Sequence, residues 1–289
     1  MSSHPLAYLN PEFMQSDDAR PLRILAEYLE PHRRFTEQGI KDTVVFFGSA
    51  RIRSRAEVKR EMQLLRVRGK STGKARASAD EVQRAEKALE WSKYYEDART
   101  LARLLTEWTA ELDTELHRFV VCSGGGGGIM EAANRGAHEA GGKSIGLNIR
   151  LPFEQGANAF ISERLHFEFH YFFMRKFWFA YLAKALVLFP GGFGTLDEMF
   201  EILTLMQTQK LAKDIKVILY GSAYWDRVLS LEPLADWGAI HPDDLRLMER
   251  ADTPRRAFTI LRSHLERHHL RPELPTAPAR TLDIAQTRG

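Results

Sequence analysis

The sequence predicts an open parallel α/β sheet with helices on both faces. Two observations carry that expectation. Apolar runs of strand length alternate with helix-period segments through the middle of the chain, the pattern of strand–helix–strand units. Three of those strands also run straight into small-residue turns: Gly48-Ser49-Ala50, the glycines at 124–128, and Gly191-Gly192-Phe193-Gly194. In such sheets ligands bind beyond the carboxyl ends of the strands. Three converging turns therefore point to a small, phosphate-bearing molecule.

The totals are compatible with this. The chain has 289 residues and is 44% hydrophobic, enough for a sizeable core in one large domain or two small ones. A net charge of +3 makes no bulk electrostatic case for nucleic acid. The sole cysteine, Cys122, has no internal partner, which fits a reducing cytoplasm. The opening MSSHPLAYLNPEF lacks the basic and apolar regions of a signal peptide. No apolar run approaches the ~20 residues that span a bilayer.

In chain order, residues 1–16 read as a loose arm and 17–28 as a short helix with Ile24, Leu25 and Tyr28 inward. The run 43–47 (TVVFF) is a buried strand, and Gly48 and Ser49 offer backbone to a ligand at its end. Residues 51–80 are basic and polar and read as an exposed, flexible linker. Gly69-Lys70-Ser71 echoes the end of a P-loop, but Leu64 stands where the first glycine is required. The same run lacks interleaved aromatics for nucleic acid, so a solvated face is expected. From 79 to about 118 the pattern is helical, with Val82, Leu89, Leu101, Leu105 and Trp108 among its apolar positions.

The strand at 119–122 enters Ser123 and five glycines, then a helix over 129–140. Five successive glycines cost much backbone entropy, so packing alone is a weak reason to hold them. The G-x-G-x-x-G fingerprint is unmet, because Ile129 and Met130 stand where its third glycine belongs. Two readings remain: a phosphate-facing turn with Gly125 and Gly126 at the ligand, and a tight strand–helix corner. Strands follow at 143–149 and 165–171. His166, Glu168 and His170 share one face of the latter, which reads as a polar strand face rather than a metal site. The next helix, to about 183, carries Arg175 and Lys176 near its start. The helix dipole disfavours cations there unless an anion is near.

The strand at 185–189 turns through Pro190-Gly191-Gly192-Phe193-Gly194 into a helix from Thr195. Leu196, Met199, Phe200, Leu203 and Met206 recur on it at a 3.6-residue period. Gly191, Gly192, Gly194 and Thr195 lie where free N–H groups and the positive helix end meet, an anion site. A strand at 215–220 and helices at 223–231, 241–250 and 253–265 complete the fold, and the proline-bearing 271–289 is an expected disordered tail. The whole is a doubly wound, Rossmann-like domain over 41–270. It carries a helical insertion at about 51–118, an N-terminal arm and helix at 1–40, and extra C-terminal helices.

Met174-Arg175-Lys176 followed by PGGFGTLDE at 190–198 resembles the LONELY GUY (LOG) family of cytokinin riboside 5′-monophosphate phosphoribohydrolases. Many relatives carry an older "lysine decarboxylase" label. The family pattern is an Arg-Lys pair and then, at this spacing, P-G-G-x-G-T-x-x-E. The segments 44–50 and 123–131 resemble its first strand and its second glycine run, so the likeness covers about 43–219. It implies a catalytic pair, Arg175 and Glu198, and a phosphate loop of Gly191, Gly192, Gly194 and Thr195. It implies no metal or redox cofactor, and at least a homodimer in which a neighbouring subunit completes the pocket. The implied reaction converts a nucleoside 5′-monophosphate, AMP or an N6-modified relative, to free base and ribose 5-phosphate. Phe172, Phe173 and Trp178 replace a methionine, a histidine and a commonly acidic residue of the family motif. The resemblance thus specifies the ribose phosphate rather than the base. The alternative is a non-catalytic carrier of a phosphorylated ligand, such as molybdenum cofactor, on the same fold.

Cleaving the bond from C1′ to the base builds oxocarbenium-like charge on the ribose. A carboxylate beside C1′ stabilises that charge and activates water. Glu198 fits this role, and the helix dipole is expected to keep it ionised. The competing reading of Thr195-x-x-Glu198 is a capping box in which Glu198 serves only the Thr195 N–H. Arg175 would hold Glu198 or substrate oxygens in bidentate fashion. Lys176 would add charge and Asp197 serve the dipole. Glu201, one turn on, shares the face of Glu198, and contact with ribose hydroxyls and plain solvation both suit it.

Overall fold

The computed structural model describes residues 5–70, 78–152, 156–211 and 214–270. A 3-10 turn at Ala7–Leu9 and helix α1 (Pro11–Gln15) occupy most of the expected loose arm. Helix α2 (Arg20–Glu37) is longer than the 17–28 expected and runs through Pro31. Strand β1 (Thr43–Phe47) follows. The expected linker at 51–80 is largely helical instead: α3 spans Arg55–Lys70, and α4 runs over Ala79–Ala110. The signals for both starts are short polar motifs. Ser54 and Glu57 bond reciprocally at the head of α3, and Ser78 and Glu81 do the same for α4. Such capping boxes satisfy N–H groups that a helix start leaves free. Val58, fully buried, anchors α3. The P-loop-like tripeptide falls partly outside the described residues, as does all of 271–289.

The remaining elements alternate. They are β2 (Val120–Ser123), α5 (Ile129–Glu139), β3 (Ser144–Ile149), β4 (His166–Phe169), α6 (Phe172–Leu182), β5 (Ala183–Leu188) and α7 (Phe193–Gln207). After them come β6 (Lys216–Tyr220), α8 (Ser222–Val228), α9 (Glu232–Asp236), β7 (Met248–Ala251) and α10 (Pro254–His269). The helix expected at 241–250 is a 3-10 segment, Pro242–Leu247, and then β7. That strand sits at the sheet edge and buries only Ala251. It therefore has little of the apolar signal that marks a central strand.

The strands form one sheet in the order β4-β3-β2-β1-β5-β6-β7, and every neighbouring pair is parallel. The α/β expectation holds. Alternate residues of each strand feed opposite cores, as the two-residue strand period requires. Val45, Phe47, Cys122, Leu147 and Leu188 pack with Phe35, Trp178, Phe179, Met199 and Trp225 on one face. Val44, Phe46, Val121 and Val187 pack with Tyr95, Leu105, Ile129 and Leu261 on the other. The chain moves outward from β1 through β2, β3 and β4, then returns to place β5 on the other side of β1. The crevice of a doubly wound sheet lies at this reversal.

Candidate active site

The turns after β1, β2 and β5 converge through backbone bonds. Ser49 N–H donates to Pro190 O at 3.0 Å, and Ile129 N–H donates to Ser49 O at 3.2 Å. Gly48 sits against the Ile129 side chain. The five-glycine run is explained in part by this closeness. Gly128, at φ +67°, leaves no room for a side chain beside the Ser49 carbonyl. Gly125, at φ +73°, would drive one into Asn148. Packing is thus a sufficient reason for glycine at these two positions, which corrects the expectation drawn from backbone entropy. Asn158, which no motif marks, clasps the turn: its Nδ2 donates to the Gly125 and Gly126 carbonyls at 3.1 and 3.0 Å.

Helix α7 starts two residues earlier than expected, and Gly192 is its N-cap, with no side chain capping it. Gly192, Phe193 and Gly194 are exposed, whereas Gly191 and Thr195 are buried together. Tyr224 pins this turn by donating its hydroxyl to Gly191 O at 2.6 Å. Uncapped, exposed N–H groups at a helix start form a site of positive potential. The N-terminus of α6 differs, because it already has its anion. The Glu27 carboxylate from α2 accepts the N–H groups of His170 and Tyr171 at 2.7 and 3.2 Å. That carboxylate offsets the unfavourable placement of Arg175 and Lys176 near a helix start.

Arg175 is partly buried above the carboxyl ends of β2 and β3. Its Nε donates to Leu147 O at 2.7 Å, and its guanidinium lies 5.0 Å from the Phe179 ring centroid. Burial lowers its pKa, while Glu198 and Cys122 act in the opposite sense. Glu198 is 6% exposed. Burial pushes its carboxyl up to about 7, against the pull of Arg175 and with a further push from Glu201. The expectation that the dipole keeps Glu198 ionised is therefore corrected. Glu198 is the sixth residue of α7, beyond the first turn where the dipole acts, and desolvation of the charge wins. The capping-box geometry is also absent: Thr195 lies inside the helix, and Glu198 accepts no hydrogen bond among the described residues.

The neighbouring charges are satisfied. Lys176 Nζ lies 2.8 Å from Asp197 and 3.2 Å from Glu201. Glu201 thus meets a lysine, and Asp197 has a partner besides the dipole. Asn148, near the end of β3, carries no signal of its own within a strand pattern. It lies against Gly125, one residue from the carbonyl that holds Arg175. His166 and His170 flank Glu168, which pairs with Arg150 at 3.1 Å. Among the described residues no group of three or more His, Cys, Asp or Glu is placed to hold a metal ion. No described helix is long and apolar enough to cross a membrane.

Comparison with known proteins bears on this arrangement. A family model described as "possible lysine decarboxylase" matches residues 130–261. A probable cytokinin riboside 5′-monophosphate phosphoribohydrolase of Oryza sativa subsp. japonica is 29% identical over 46% of this chain and 54% of its own length. One of Arabidopsis thaliana is 26% identical over 52% of this chain and 74% of its own. The chain thus spans about half of the first relative. Among solved structures, the molybdenum cofactor binding protein of Rippkaea orientalis is 19% identical with a TM-score of 0.44, covering 76% of this chain and 94% of that one. By motif, by family model and by its curated relatives, the chain is similar to the LOG family.

Proposed function

We propose that this protein hydrolyses the N-glycosidic bond of nucleoside 5′-monophosphates, with AMP the first substrate to try, and releases free base and ribose 5-phosphate. The observation that carries the reading is Glu198, a buried carboxyl raised to about 7 opposite the cation Arg175. A group that titrates near neutral pH takes and returns protons efficiently. The uncapped start of α7, with Gly191, Gly192, Gly194 and Thr195, receives the phosphate, and Gly48, Ser49, Gly125 and Gly126 wall the crevice. Phosphate binding at that remote end positions C1′ for attack. The ionised carboxylate stabilises positive charge on the ribose and takes a proton from the attacking water. That proton finishes on the departing base, so atoms and charge balance. Arg175 orients Glu198 and the ribose oxygens, with Lys176 and Glu201 at the margin. The working form is a homodimer or larger, and the exposed Phe172, Phe173 and Phe193 offer the apolar rim that a neighbouring subunit would cover.

The test is incubation of the purified protein with AMP and chromatography for adenine, with N6-modified AMP and other monophosphates beside it. Release by wild type and loss in Glu198→Gln is the expected result. Tight binding with no release would replace hydrolysis by the carrier reading. Full-rate release by Glu198→Gln would remove Glu198 from the mechanism.

A further inference from the structure

Asn148 breaks two local rules at once. Asparagine is a poor strand former, yet it sits in β3 among Ile145, Leu147 and Ile149. It is only 8% exposed, and its Oδ1 is fully buried with no hydrogen-bond partner. Its Nδ2 has no partner among the described residues either. Which amide atom occupies which place does not matter, because neither position meets a protein donor or acceptor. Buried polar groups are nearly always paired, and an orphan is costly. Folding alone gives no reason to hold an amide here when a leucine of similar size would bury without that cost. Local rules fail in this way at functional sites.

The surroundings name the function. Asn148 touches Gly125, in the turn that walls the crevice, and Gly125 has no side chain to come between them. The adjacent residue, Leu147, holds Arg175 through its carbonyl. We infer that Asn148 is a specificity-determining residue whose carboxamide pairs with a ribose hydroxyl of the bound nucleotide. The inference rests on the functional reading above. The chemistry selects the hydroxyl over the phosphate. A carboxamide offers an acceptor and a donor side by side. A phosphate dianion has no hydrogen to give and can use only the donor. A sugar hydroxyl gives and accepts, so it satisfies whichever amide atom turns toward it. Ligand binding thereby supplies the partner that the fold does not.

Calorimetric titration with AMP, 2′-deoxy-AMP and 3′-deoxy-AMP, every full-length chain carrying Glu198→Gln so that no nucleotide is consumed, tests this without reliance on turnover; wild type here denotes that chain with Asn148 intact. Wild type is expected to prefer AMP to at least one deoxy form by about tenfold, the size of one good hydrogen bond. Asn148→Leu and Asn148→Ala should bind AMP about tenfold more weakly and lose that preference. The leucine variant should melt no lower than wild type, because it removes an unpaired polar group. Retention of the preference in both variants, with AMP still bound, overturns the assignment to Asn148 and leaves the functional reading standing. Loss of stability with affinity and preference intact overturns it too, by making the residue structural. Failure of wild type to bind any of the three nucleotides sinks the functional reading, and this assignment with it.

Discussion

Two charge clusters lie side by side on the same pair of helices and behave in opposite ways. Arg175 and Lys176 are consecutive on α6, and Asp197, Glu198 and Glu201 share one stretch of α7. The outer cluster, Lys176 with Asp197 and Glu201, is closed by short ion pairs. Burial lowers the lysine pKa, and the bonds to Asp197 and Glu201 together outweigh it, so the net shift is upward. The inner cluster, Arg175 with Glu198, forms no direct ion pair among the described residues, and burial governs both groups. One step of about 100° around a helix separates a solvated surface charge from a perturbed one. Satisfied charges hold a surface together, whereas a carboxyl left desolvated and incompletely paired is available for chemistry.

The contrast can be broken first at the level of rate. Glu198→Gln should lower base release by ~10²–10⁴-fold, the usual worth of a general acid or base, while Glu201→Gln should cost less than about tenfold. Equal losses in steady-state assays would erase the distinction between the clusters. Next in size is the pH profile. If the ionised carboxylate is the working form, kcat/KM should rise with pH, pass half-maximum near 7 and level off above it. Arg175 pulls the Glu198 pKa down, so Arg175→Gln should move that midpoint upward as well as slowing the reaction. A midpoint near 4.5 in wild type would mean that burial does not govern this carboxyl in solution.

Stability sharpens the comparison further. The folded-state pKa of Glu198, about 7, lies above its unfolded value of 4.5. The stability linked to its protonated form is fully present below pH 4.5 and is lost as pH rises through 7. Glu198→Gln never ionises and escapes that loss. At pH 8 it should be the more stable protein, by up to about 3 kcal/mol, from the gap between the folded and unfolded pKa values. The difference should close at pH 4.5, as denaturant titrations at both pH values would reveal. The smallest effect belongs to the outer cluster. Asp197 is 57% exposed, and Asp197→Asn should change stability by less than about 1 kcal/mol, diminishing further in high salt.

Much of the sheet is legible from residues 43–220. Strands buried on both faces read as unbroken apolar runs, and TVVFF and ALVLF leave little else to be. The three glycine turns are equally plain, and the motif marks Arg175 and Glu198. Helix α3 escapes notice because its basic, polar surface hides the buried Val58, although Ser54 and Glu57 announce its start. Strand β7 escapes because an edge strand carries almost no apolar pattern. Asn148, Asn158 and Tyr224 are hidden for another reason: each acts on a glycine turn far from it in sequence, at Gly125, Gly126 or Gly191.

Local pattern alone determined that strands alternate with helices, that three of them end in bare backbone, and that Glu198 follows one such turn by a fixed spacing. These are consequences of side-chain size and period, which neighbours along the chain settle among themselves. Tertiary structure alone decided which of three nearby acids loses its water, which cation faces it, and which amide is left without a partner. Solvation and electrostatic coupling depend on distance in space, and only the folded sheet brings Asn148 against Gly125, Arg175 to the Leu147 carbonyl and Glu198 into the field of Arg175.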